Sequence, residues 1–107
     1  MLNKVRENCY SISVNVRESF TFEFVPSDYR VIIDYYCNTD NYHYISSFDF
    51  DNKSPDFSNI AIQFGRIIDN YLNHNIISGS TRRAWLKFKQ EITALYNNYS
   101  MASLMLG

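Results

Sequence analysis

SPDFSNIAIQFGRIIDNYL, residues 54–72, is the stretch whose reading decides the fold class. Ser54 is placed to cap a helix, with Pro55 at its first position and Asp56 in its first turn. Phe57, Ile60, Ala61, Phe64, Ile67, Ile68, Tyr71 and Leu72 then recur at spacings of three, four and seven. They make one apolar stripe, and Asn59, Gln63, Arg66 and Asn70 fall on the opposite face. Such a helix is not stable alone in water and needs a partner surface. Gly65 in its middle lowers helix propensity and points to close packing against the second helix or the sheet.

Working back toward the N-terminus, the period changes from helical to two. Residues 10–16 alternate Tyr10, Ile12, Val14 and Val16 against Ser11, Ser13 and Asn15. Residues 20–25 put Phe20, Phe22 and Phe24 opposite Thr21 and Glu23. Residues 29–37 set Tyr29, Val31, Ile33, Tyr35 and Cys37 against Arg30, Ile32, Asp34 and Tyr36. Residues 42–50 bring Tyr42, Tyr44, Phe48 and Phe50 to one face, with His43, Ile45, Ser47 and Asp49 on the other. Alternation of this kind marks half-buried strands. Short polar links (Arg17-Glu18-Ser19, Pro26-Ser27-Asp28, Asn38-Thr39-Asp40-Asn41) join neighbours antiparallel. Residues 1–8 read as a polar lead-in.

Beyond residue 72, the segment NHNIISGS reads as a connection, and Ser80 or Thr81 can cap a second helix. Its stripe is Trp85, Phe88, Ile92, Leu95, Tyr96 and Tyr99. The expected architecture is α+β: a four-stranded antiparallel meander with two helices packed on one face, order ββββαα, in a single domain over 1–107. Nine Tyr and eight Phe with only three Gly and two Pro argue for a folded chain rather than a disordered one.

The composition narrows the chemistry. A net charge of −1 supplies no global field for nucleic acid or membrane. Cys9 and Cys37 make no disulfide framework and read as buried thiols, and no run has membrane-spanning length or the apolar core of a signal peptide. A cytoplasmic protein is expected. His43 and His74 stand without the neighbouring nucleophile and orienting acid that a catalytic arrangement needs. Asp49, Asp51 and Asp56 cluster at a strand-to-helix junction, but the bend glycine and terminal Glu of a calcium loop are missing. Glycines are too far apart for a phosphate loop. No enzyme, metal or cofactor is expected.

Two surfaces remain as candidates. The start of the second helix carries Arg82, Arg83, Lys87 and Lys89, against the helix dipole. The outer face of the sheet gathers Glu23, Asp34, Asp49 and Asp51 with Tyr36, His43 and Ile45. Arg82, Arg83, Lys87, Tyr36, Ile45, Asp49 and Asp51 are therefore the expected partner-binding residues, and outward Ile32, Tyr36 and Ile45 would also suit a homodimer. The expectation is a non-enzymatic protein-interaction module with a protein partner. In size and layout the chain resembles some small phage-encoded or mobile-element inhibitors, anti-CRISPR proteins among them. That likeness implies inhibition of a host complex by binding it, and it carries no residue over. The alternative is a small nucleic-acid-binding protein using the basic start of the second helix.

Overall fold

The computed structural model describes residues 2–28, 30–50 and 57–106, with backbone alone at 57–59 and 98–106. An antiparallel sheet is followed by two helices, as the periodicities predict, in an α+β chain. Two compact units divide it, Met1–Phe50 and Asp51–Gly107.

The first unit is a sheet of five strands rather than the expected four. They are β1 (Leu2–Arg6), β2 (Cys9–Ser13), β3 (Glu18–Val25), β4 (Arg30–Cys37) and β5 (Tyr42–Asp49). Every strand pairs antiparallel with its sequence neighbour, in the order β1-β2-β3-β4-β5. The additional strand is β1, formed from the residues read as a lead-in. Its turn places Asn8 at φ 61°, in the left-handed region that Asn enters more readily than most residues. The β1–β2 register slips between Lys4 and Arg6, which makes β1 a bulged edge.

Register puts Ile12, Phe20, Phe22, Phe24, Val31, Ile33, Tyr35 and Cys37 on one face, and all eight are buried. Phe20 and Tyr35 lie opposite each other with ring centroids 5.2 Å apart. The strand expected over 10–16 ends earlier, at Ser13, and Val16 is 91 % exposed instead of inward. An asparagine turn takes the chain out of the ladder there. Asn15 Oδ1 accepts the amides of Arg17 at 2.9 Å and Glu18 at 2.8 Å. Glu18 then opens β3 on the buried face, 3 % exposed. Its carboxylate accepts the Tyr35 hydroxyl at 2.6 Å and Asn15 Nδ2 at 3.0 Å, so both oxygens are engaged.

The second unit is a pair of helices, α1 (Phe57–His74) and α2 (Gly79–Leu106). The expected start signal of α1, Ser54 to Asp56, lies outside the described residues. Ile60, Phe64, Ile68 and Leu72 of α1 are buried, as are Ala84, Trp85, Phe88, Ile92 and Tyr96 of α2. The stripes meet through Phe64 and Phe88 (ring centroids 5.5 Å) and through Tyr71 and Trp85 (4.7 Å). These pairings run in opposite senses along the two helices, so α1 and α2 form an antiparallel hairpin. Gly65 lies against this contact, where an added Cβ would meet Lys89 Cε at 3.5 Å, an ordinary van der Waals separation. The cap of α2 is Ser78, not Ser80 or Thr81: Ser78 Oγ accepts the Thr81 amide at 3.4 Å, and Ser78 O accepts the Arg82 amide at 2.8 Å. The helix continues through the tail to Leu106.

Candidate functional site: the outer face of the sheet

Because side chains alternate along a strand, residues opposite the buried set share a second face. Register brings Cys9 beside Glu23, Thr21 beside Asp34, Ile32 beside Ser47, Asp34 beside Ile45 and Tyr36 beside His43. Val5, Arg6, Cys9, Thr21, Glu23, Ile32, Asp34 and Ile45 line a shallow depression of about 310 Å³ on this face. Val5 and Ile45 are among the exposed large apolar residues, at 55 % and 66 %. The bulge in β1 brings Val5 to the depression alongside Arg6, where a regular ladder would send the two to opposite faces.

Charges on this outer face stand in short pairs, and Arg6, Glu23 and Asp34 among them line the depression. Arg6 Nη2 donates to Glu23 Oε2 at 2.8 Å, and Arg30 Nε donates to Asp49 Oδ1 at 2.9 Å. Each arginine is held above its ordinary pKa, first by the hydrogen bond to its carboxylate partner. Asp34 Oδ1 lies 3.3 Å from His43 Nδ1, and the His43 ring stacks on Tyr36 with centroids 4.4 Å apart. Cys9 forms part of the floor at 1 % exposure. Burial pushes its thiol up, an effect that Arg6 opposes and Glu23 reinforces. Cys9 and Cys37 are both free and lie on opposite faces of the sheet.

Of the expected partner-binding residues, Tyr36, Ile45 and Asp49 share this face. Asp51 lies outside the described residues. Arg82 has a different task. Its Nη2 donates to Leu72 O at 2.9 Å, at the end of α1. There His74 Nδ1 meets Asn70 O at 2.8 Å and Asn75 Nδ2 donates to Tyr71 O at 2.8 Å. Side-chain donors thus reach three consecutive carbonyls, Asn70 to Leu72, in the last turns of α1. A cation ill placed for the dipole of its own helix is well placed for that of its neighbour. Lys89 is also engaged, donating to Asp69 at 2.8 Å. Arg83 and Lys87 are exposed on α2.

Sequence reasoning missed Val5, Arg6 and Cys9 as members of the outer face. Among the described residues no group of His, Cys, Asp and Glu is gathered to hold a metal ion, and no helix is long and apolar enough to cross a membrane. No family model, curated protein or solved structure matches the chain.

Proposed function

We propose that the chain is a small non-enzymatic protein-interaction module that binds and occludes a partner protein through the outer face of its sheet. The observation that carries this reading is the depression floored by Val5, Cys9, Ile32 and Ile45 and edged by Arg6, Glu23 and Asp34. An apolar floor with a charged rim is the general anatomy of a protein-binding surface. Open and shallow, it suits a side chain from another protein better than an enclosed small molecule. The partner chemistry it fits is an apolar side chain, set between Val5 and Ile45, next to a cation that meets Asp34 and Glu23. Occupying a surface of a host complex, in the manner of a phage or mobile-element inhibitor, is the mode of action this implies. Two free buried thiols support a reducing, cytoplasmic setting.

The nucleic-acid reading draws less support, because Arg82 serves the end of α1 and Lys89 pairs with Asp69. An affinity pull-down from host lysate, run with and without nuclease, separates the two. The interaction reading expects a stoichiometric protein that survives nuclease, is lost with Val5→Asp and is kept with Arg83→Ala. Recovery that disappears with nuclease, or that ignores Val5→Asp, overturns it.

A further inference from the structure

The two edges of the sheet are built differently. β1 is five residues long, bulged, and carries Lys4 and Arg6, devices that discourage another strand from pairing there. β5 is eight residues long and in unbroken register with β4. It has no lysine, arginine, proline or glycine, and its only carboxylate, Asp49, is at its end. A long, regular, almost uncharged edge presents a row of backbone donors and acceptors to any strand that can match it.

We propose that the matching strand is β5 of a second copy, paired antiparallel about a two-fold axis at Ser46. An axis perpendicular to the sheet keeps each face continuous only when a residue stands opposite one of the same parity. With the axis at Ser46, His43 faces Asp49, Tyr44 faces Phe48, Ile45 faces Ser47, and Ser46 faces its own copy. Each unlike pair occurs twice. Tyr44 and Phe48 belong to the same face as the buried residues of β4, so two aromatic cross-strand pairs extend the apolar face across the junction. His43 and Asp49 belong to the outer face. There they join the existing Asp34–His43 and Arg30–Asp49 contacts into a row that crosses from one copy to the other. Moving the axis one residue to Ile45 sets Tyr44 against Ser46 and His43 against Ser47; Tyr42 then meets Phe48 near the strand ends, but the central aromatic pairs and the His43–Asp49 pairs are lost. The closed pair buries both β5 edges and leaves the bulged β1 edges outermost. It also presents the depression twice on one face, so a dimer would bind bivalently, though the pairing does not depend on that function.

The register makes the test specific. Opposed Cα atoms in an antiparallel pair lie about 4.5–5.5 Å apart, inside the disulfide range. Ser46→Cys is expected to oxidise to a covalent dimer on a non-reducing gel, whereas Ser27→Cys in the β3–β4 turn is not. Chains carrying Ile45→Cys and Ser47→Cys are expected to cross-link to each other in a mixture more readily than either does to itself. Sedimentation of the wild type should give twice the 12.6 kDa chain mass, and Ser47→Lys, which puts two cations on the shared edge, should return it to the monomer. A wild type that stays monomeric at every concentration overturns the proposal. A dimer indifferent to Ser47→Lys, with no Ser46 cross-link, overturns it equally by placing the interface elsewhere.

Discussion

Tyr35→Phe deletes one oxygen atom, and the structure says which group suffers. The lost hydroxyl is the donor 2.6 Å from Glu18 Oε2, and Glu18 is 3 % exposed. Phenylalanine fills the same ring volume, so the cavity term is small and the loss is that of a buried acceptor deprived of its donor. Such a loss is worth about 1–3 kcal/mol. Among the described residues, Glu18 then retains the Asn15 Nδ2 contact at 3.0 Å on its other oxygen. The suitable assay is amide hydrogen exchange at Phe20 and Phe22 of β3, because the single tryptophan, Trp85, lies in α2 and reports the other unit. Protection at those amides should fall by about five- to 150-fold, the same free energy expressed as an opening equilibrium. A cycle with Glu18→Gln should show coupling of about 1 kcal/mol or more between the two side chains. Unchanged protection in Tyr35→Phe, or strictly additive losses, would refute the claim that this carboxylate is held by that hydroxyl.

Other expectations follow from the helical unit and the thiols. Gly65→Ala should stabilise α1 by about 0.5–1 kcal/mol in thermal unfolding followed by Trp85 fluorescence, since alanine is the better helix former and the new Cβ meets Lys89 Cε at an ordinary 3.5 Å. Ser78→Ala should cost about 1 kcal/mol in the same assay through loss of the α2 cap. Arg82→Ala should destabilise the hairpin by about 0.5–1.5 kcal/mol, with Arg82→Lys recovering part of it, because it strips a donor from Leu72 O. Cys9 and Cys37 should resist a thiol reagent in the native protein and both react in denaturant. Cys9 titrates above its ordinary value, so at alkaline pH the unfolded chain sheds a proton that the native chain keeps. Its contribution therefore makes stability fall as pH rises through the ordinary thiol range, which urea titrations of wild type and Cys9→Ala can compare.

The core face was legible wherever alternation was strong. Phe20, Phe22 and Phe24, with Val31, Ile33 and Tyr35, are buried as the period of two predicts. β1 was not legible, because Leu2-Asn3-Lys4-Val5-Arg6 is an edge whose bulge breaks the alternation and whose polar residues meet solvent. The same bulge hid the contribution of Val5 and Arg6 to the outer face. Val16 shows the converse error: the alternation 10–16 was regular, but Asn15 offered the backbone amides a turn that ended the ladder. Outward Ile32, Tyr36 and Ile45 followed directly from parity. The basic start of α2 stood out in the sequence because its cations oppose the dipole of their own helix. A tertiary contact explains Arg82, since the end of α1 lies ten residues away in sequence and only the hairpin brings Leu72 O to it.

The most direct test of the proposed binding face uses isoleucine methyl groups, because the sheet sorts them by side: Ile32 and Ile45 face outward, Ile12 and Ile33 are buried on the opposite face, and Ile60, Ile68 and Ile92 lie in the core of the helical unit. Adding the captured partner to methyl-labelled protein should shift or broaden the Ile32 and Ile45 resonances first, leaving those of Ile12, Ile33 and Ile92 nearly in place. Perturbations concentrated on the helical isoleucines, with Ile32 and Ile45 unmoved, would contradict the assignment of the outer sheet face as the binding surface.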